Sequence, residues 1–349
     1  VRVIVAWLHR YKHWLIWAMV LLLSVGMAGC GDERISVLQP AGGVGEQQLR
    51  LMFLSFFVML GVFAVVMALY IYVLIRFRSR DDGYISPSKL PHHGSTKMEL
   101  VWTIIPVLIL VVLAVPSVRY TFESARKPVS GKLPLRVDVK GYRYWWSIEY
   151  PDFGIKTAGE IHIPKDTPVV VQLESGDVIH GFWIPSLAGK MDTVPGKKNY
   201  MSFNAKEAGV FEGRCAELCG GGHSLMNFRV YVHEEEDFQR WVRFQKAIAS
   251  GASSDVQNGS LSPVAKRGKE LFNQGCVTCH AYNKAPDLKA FCSRSQIAGT
   301  VDNNEDNFAM FLKKPSDVKP NILMPPMGHL SEDERRAIWQ YLQSFCKTG

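Results

Sequence analysis

The stretch CAELCGGGHSLM, residues 215–226, places two thiols, an imidazole and a thioether within twelve positions. Zinc is the ordinary expectation for clustered cysteines. Structural zinc sites, however, pair two close cysteines with a distant second pair, and methionine is a poor zinc ligand. Soft thiolate and thioether donors beside an imidazole favour copper. A blue-copper site takes one cysteine, two histidines and a methionine, so this stretch has one cysteine too many. Two thiolates bridging two coppers would use both Cys215 and Cys219 and leave His223 and Met226 as terminal ligands. That arrangement needs a second imidazole. His180, in DVIHGFWIP upstream, is the candidate, although a lone histidine in an apolar strand is ordinarily structural. Sharing one electron over two bridged metals spreads the charge change, so little bonding rearranges on oxidation or reduction. No coordination position needs to stay open, unlike a catalytic metal. Such a centre would relay electrons and make no bonds, and no catalytic group is expected in this chain.

Around this stretch, LRVDVKGYRYWWSIEY and TPVVVQLESGDVIHGFWIP mix β-branched and aromatic residues with Gly, Pro and Asp. These are strand-and-turn signals, and they predict a small β-sandwich or barrel over 133–233. EEEDFQRWVRFQKAIAS (234–250) reads as a helix, which closes a domain over 133–240. The Gly/Ser-rich stretch 251–262 has a flexible linker's composition. A separate unit occupies 263–349.

Upstream lie two apolar runs, 49–75 and 100–120, each reaching the length that spans a bilayer. Pro106 and Pro116 are tolerable in membrane helices. The segment between them carries Arg76, Arg78, Arg80, Lys89 and Lys97. The positive-inside rule makes that segment cytoplasmic and puts everything after the second run on the outer side. A hairpin over 30–122 thus follows a start with the anatomy of a secretory signal over 1–29: basic residues, an apolar core and a small-residue end. The signal closes on Ala28-Gly29-Cys30 and resembles a bacterial lipoprotein signal, with Met27 where Leu is usual, which implies lipidation at Cys30. The length of 349 residues allows two or three such units. A mean hydropathy of +0.01 fits soluble domains averaged with membrane segments. A net charge of +8 does not by itself indicate a nucleic-acid partner, and none is expected. Seven cysteines, an odd count with close pairs, do not read as a plain disulfide scaffold.

The second cluster, Cys276-Val-Thr-Cys279-His280, has the haem c attachment pattern. Both thiols would bond the haem vinyl groups, and the adjacent imidazole would become the proximal iron ligand. Helical patterns flank it, Val264 to Gln274 before and 331–345 at the end, the latter starting in a Ser331/Glu334 capping box. With Met-Pro-Pro-Met at 324–327, the unit resembles a class I cytochrome c over nearly all of 263–349. That resemblance implies Met324 as the sixth iron ligand, with Met327 second in line. It matches Gly268 and Phe272 to a crossing of terminal helices and Pro286 to the proline beside the proximal histidine, where Ala285 replaces a usual Gly. Cys292 and Cys346 either form a disulfide or stand as free thiols.

DVIHGFWIPSLAGKMDTVPGKKN, followed by FEGRCAELCGGGHSLM, resembles subunit II of haem–copper cytochrome oxidases. The resemblance covers about 36–240. It implies two transmembrane helices and a cupredoxin domain with a binuclear copper (CuA) centre. It also implies bridging by Cys215 and Cys219, imidazoles from His180 and His223, and completion by Met226 and the Glu217 carbonyl. The Glu217 carboxylate would reach a Mg or Mn ion shared with subunit I. GYRYWWSIEY (141–150) matches the family's aromatic segment over the copper, with Tyr144 in place of the usual tryptophan and Trp145 and Trp146 after it. These three are the candidate electron-receiving residues. Asp177, three residues before His180, has either a turn role or an orienting one. Glu99, at the cytoplasmic edge of the second run, matches a carboxylate at the mouth of a proton path.

Together the resemblances imply subunit II of a caa-type oxidase with a fused cytochrome c, in a bacterial inner (plasma) membrane with the copper and haem domains on the outer side. Implied partners are subunit I, other oxidase subunits, membrane lipid, and a quinol-oxidising complex or soluble cytochrome as donor. Three alternatives remain at this stage: the small subunit of a copper-containing nitric oxide reductase, a stand-alone membrane-anchored carrier, and a structural zinc domain beside a cytochrome.

Overall fold

The structure is a computed structural model that describes residues 14, 17–21, 33–78, 94–125, 133–250, 261–280 and 285–346. Most of the signal segment, Cys30, Arg80, Lys89 and residues 251–260 of the linker lie outside the described residues.

Two long helices follow one another, α1 (Gly43–Arg76) and α2 (Thr96–Ala125). Both exceed the apolar runs that predict them, because the helices continue through polar residues at their ends, such as Glu46 to Gln48 and Thr121 to Glu123. Their apolar side chains are exposed along the whole length, as lipid-facing or subunit-facing surfaces are. Near the outer end, Gln47 of α1 donates to Glu123 of α2 (3.4 Å). The approach to α1 is seated on the β-domain: Ala41 N–H bonds the Ser186 carbonyl (2.7 Å) and Lys206 pairs with Glu46 (2.7 Å).

The middle of the chain is a sandwich of two five-stranded sheets. The first contains β1 (Leu135–Tyr142), β2 (Trp145–Tyr150), β3 (Ile155–Ala158), β5 (Val169–Ser175) and β8 (Asn199–Phe203) in the order β3-β2-β1-β5-β8. The second contains β4 (Glu160–Pro164), β6 (His180–Trp183), β7 (Lys190–Thr193), β9 (Gly209–Cys215) and β10 (Asn227–His233) in the order β4-β10-β9-β6-β7. β1 and β5 alternate buried with less buried residues, as half-buried strands do, and Val137, Val139, Val169, Val171 and Leu173 fill the space between sheets. All five residues of β4 are buried. Its second face is covered by α3 (Glu235–Ser250), whose Trp241 stacks on His162 at 4.4 Å.

The C-terminal unit is helical: α4 (Pro263–Gly275), a short α5 (Val277–His280), α6 (Glu305–Lys313), α7 (Pro315–Val318) and α8 (Glu332–Gln343). Ser331 and Glu334 form the capping box on α8. α4 crosses α8 at Gly268, where an added Cβ would stand 1.9 Å from the Ala337 carbonyl oxygen. Only glycine permits that approach, and Phe272 packs beside it on Tyr341 at 5.5 Å. Of the two states open to Cys292 and Cys346, the fold adopts the disulfide, with Cα atoms 5.9 Å apart.

Candidate metal centre and haem cavity

β9 ends at Cys215, beside β6, which begins at His180. Ala216 N–H bonds the Gly181 carbonyl (2.9 Å), so the chain leaving β9 is pinned to the start of β6. It then curls through Cys219 and a 3-10 turn, His223–Leu225, and returns as Met226, whose carbonyl accepts from Cys215 N–H (3.1 Å). The loop thereby gathers donors that are dispersed in sequence. Cys215 and Cys219 Sγ are 3.8 Å apart, and Cys219 Sγ lies 3.7 Å from His223 Nδ1 and 3.9 Å from Met226 Sδ. Cys215 Sγ is 3.2 Å from the Glu217 carbonyl oxygen. One donor atom each of His180, Cys215 and Cys219 lies within 4.8 Å of the other two.

The electrostatics fit a cation. Burial, with the adjacent Cys215 adding to it, pushes the Cys219 thiol up to about 12. Two such sulfurs ionise together only beside a positive charge, which a coordinated metal supplies. Burial also lowers His180, keeping it the neutral imidazole that a metal requires. Its Nε2 is 2.8 Å from Asp177 Oδ1, whereas its Nδ1, fully buried, has no hydrogen-bond partner. An orphaned buried nitrogen is costly, and a metal on that side resolves it. Asp177 holds both roles open to it: it accepts from the backbone N–H of Val178 (2.7 Å) and Arg143 (2.8 Å) and orients His180. Burial raises the Asp177 carboxyl, but these hydrogen bonds outweigh it and leave it below its ordinary value. The Glu217 carboxylate is half-exposed and pairs with Lys190 (3.2 Å).

Fourteen residues beyond the sandwich's helix-linker region begins a second site. Cys276, Cys279, His280, Met324 and Met327 line one cavity of about 280 Å³. His280 Nδ1 lies 2.7 Å from the Pro286 carbonyl, which makes Nδ1 the donor and leaves Nε2 free to ligate. Cys276 and Cys279 are free thiols. These residues fit a thioether-linked haem. Met324 and Met327 are both partly buried against the unit's core, and both line the cavity.

The cavity's other wall comes from the sandwich: Tyr144, Trp145 and Trp146 line it. The three differ. Trp146 is wholly buried, 5.8 Å from the His180 ring, and its Nε1 donates to the Met226 carbonyl (3.3 Å). Trp145 stacks on Tyr142 at 4.9 Å. Tyr144 packs against the ligand loop; an added Cβ on Gly220 would fall 2.5 Å from its hydroxyl and one on Gly222 2.4 Å from its ring. Glu99 stands in the first turn of α2, exposed, at the far end of a helix ~45 Å long from the outer domain.

Sequence reasoning missed three residues on the haem cavity wall. Arg294 is buried with an unpartnered Nε, and burial lowers it to about 10. Glu160 accepts from Ser295 N–H (2.7 Å) and Oγ (2.6 Å). Lys319 is 2% exposed. No local pattern marks them, because each acquires its surroundings from a distant segment.

A membrane hairpin, a two-sheet sandwich with a thiol–imidazole–thioether cluster and a haem-attachment unit define a membrane-anchored electron-transfer protein of cupredoxin type. Three family models match: "Cytochrome C oxidase subunit II, transmembrane domain" over 36–120, "Cytochrome C oxidase subunit II, periplasmic domain" over 154–232, and "Cytochrome C oxidase, cbb3-type, subunit III" over 263–342. Cytochrome c oxidase subunit 2 of Bacillus subtilis (strain 168) is 38% identical, the match covering 95% of this chain and 98% of the relative. The same subunit of Bacillus sp. (strain PS3) is also 38% identical, covering 95% and 97%. Quinol oxidase subunit 2 of Bacillus subtilis (strain 168) is 35% identical over 66% of this chain and 72% of its own length. The crystal structure of the periplasmic domain of oxidase subunit II from Bradyrhizobium japonicum is 31% identical, covering 35% of this chain and 97% of that one, with a TM-score of 0.33. The chain belongs to the cytochrome c oxidase subunit II family. It is a subunit of a terminal oxidase, works with subunit I, and carries its sandwich on the outer side of the membrane. Membership implies CuA copper, and the C-terminal unit implies haem c.

Proposed function

We propose that the chain is the electron-transfer subunit of a caa-type cytochrome c oxidase, passing electrons from its own haem c to its CuA centre and on to subunit I for oxygen reduction and proton pumping. The observation that carries this reading is the convergence of His180, Cys215 and Cys219 on one buried point, with His180 Nδ1 otherwise unpartnered and His223 Nδ1 and Met226 Sδ within 4 Å of the Cys219 sulfur. His180, Cys215, Glu217 (through its carbonyl), Cys219, His223 and Met226 would hold the copper pair. Cys276, Cys279 and His280 would hold the haem, with Met324 as sixth ligand. Bound there, both groups supply one-electron transfer. The chain's residues supply the rest: Asp177 orients His180, Pro286 orients His280, the sandwich excludes water, and Arg294 offers a buried positive charge to haem carboxylates.

Tyr144, Trp145 and Trp146 form the wall between the two sites and are assigned the electron input. The class I cytochrome type is part of the proposal, as is the division into signal (1–29), hairpin (30–122), cupredoxin domain (133–240), linker (251–262) and cytochrome domain (263–349). Tethering keeps the immediate donor at high effective concentration. A quinol-oxidising complex or soluble cytochrome would recharge the haem. Glu99 is assigned to the cytoplasmic mouth of a proton path. A Mg or Mn ion shared with subunit I would take the Glu217 carboxylate in competition with its ion pair to Lys190. Lipidated Cys30 and the two helices would anchor the chain in lipid of a bacterial inner membrane.

Relatives named as cytochrome c oxidase subunits match nearly the whole chain, which supports this reading over a nitric oxide reductase subunit or a stand-alone carrier. Metal analysis of the purified chain tests it: two coppers with a mixed-valence signal and one covalently bound haem are expected. Zinc in place of copper would refute it.

A further inference from the structure

Among the described residues, the polar contacts between the two redox units gather at Ser293, Ser295 and Lys319, and two of the groups involved, Lys319 and Glu160, are deeply buried. Lysine is almost never fully buried unless paired, yet Lys319, on the cytochrome side, is 2% exposed. Its ammonium donates to two carbonyls: Ala298 of its own unit (2.5 Å) and Tyr144 of the sandwich (2.8 Å). Separating the units would strip one acceptor from a desolvated cation, which is costly. Tyr144 in turn lies against Gly220 and Gly222 of the metal-ligand loop, so one continuous contact runs from haem cavity wall to copper ligands. A second buried contact joins the units at another point of the cavity lining. Glu160, 4% exposed, receives both the backbone N–H and the hydroxyl of Ser295, and Tyr231 donates to the same hydroxyl (2.6 Å).

We infer that Lys319, with the Glu160–Ser295 pair, is a positioning clamp that holds the haem domain against Tyr144 and so fixes the geometry for electron transfer between this chain's two centres. The inference rests on the relay reading above for its purpose. It does not rest on it for the docking itself. Neither contact touches a reacting atom. Both act by selecting one arrangement of two domains, and losing a buried cation's hydrogen bonds should shift the docked–undocked balance by about tenfold or more.

The test uses the intact oxidase complex with Lys319→Met, and Ser295→Ala as a milder second variant should the first fail to assemble. Amide hydrogen exchange over 143–147 and 296–300 reads docking directly. Flash reduction of haem c, followed at haem and copper bands, reads transfer. The expected result is about tenfold faster exchange on both facing segments. Haem reoxidation should slow by about the same factor and become dependent on solvent viscosity, with both absorption spectra unchanged. Unchanged exchange in the variants overturns the clamp. Raised exchange with an unaltered transfer rate overturns its positioning role. If the unsubstituted complex passes no electron from haem to copper, the relay reading fails, while the exchange result still decides the clamp.

Discussion

At the residue scale, the site depends on what stands behind each ligand. His180 was legible as a candidate because the close cluster holds one imidazole, His223, and a bridged copper pair needs a second. Asp177 was legible as either a turn residue or an orienting one; what was not legible is the Arg143 backbone that holds its carboxylate against His180, because the two meet only in the fold. Orienting partners of metal ligands typically contribute 10–100-fold in affinity or activity. Asp177→Asn is therefore expected to weaken copper retention by about 10- to 100-fold, with little change in haem content. Copper titration of the variant with a competing chelator checks this; wild-type affinity would assign Asp177 to the turn alone. Lys319 and Arg294 were illegible for a related reason. A basic residue in a polar sequence context reads as solvated, and only tertiary contact reveals two cations buried at the haem cavity.

At the scale of elements, the apolar runs, the capping box and the haem motif carry their meaning within a few turns of chain, so sequence alone places them. The strand order does not. β1 pairs in parallel with β5, and β4 with β10, and no local periodicity encodes pairing between non-consecutive strands. The α4–α8 crossing follows from one glycine, so Gly268→Val should destabilise the C-terminal unit by about 3 kcal/mol, read as a lower unfolding midpoint at the haem band. The Cys292–Cys346 link closes a separation of 54 residues. Its removal by Cys292→Ser with Cys346→Ser is expected to cost about 4 kcal/mol, measured by denaturant titration of the holoprotein.

The stacked His162 and His233 behave differently. Burial first, and then the neighbouring His162, hold His233 down to about 4, and burial lowers His162 as well. The unfolded imidazoles take up protons near their ordinary pKa of about 6.5. Stability from this pair is therefore complete above that pH and is lost as pH falls toward about 4. Thermal unfolding of the sandwich across that window should show a falling midpoint, and His233→Gln should flatten the fall.

At the scale of the whole molecule, the sandwich touches both the hairpin and the cytochrome unit. α1 is seated on the sandwich near Ser186, and the cytochrome unit docks at the sandwich's aromatic wall. Composition and motifs announce the three parts, but they do not announce that the haem cavity faces Tyr144. In the proposed relay, that facing is what puts the two metal sites in series. The most direct test is to photoreduce haem c in the intact oxidase and follow both centres on the same sample. Copper is expected to be reduced in step with haem reoxidation, one electron for one, before any electron reaches subunit I. Haem reoxidation without a matching copper signal, or electrons reaching subunit I with the copper cysteines replaced by serine, would contradict it.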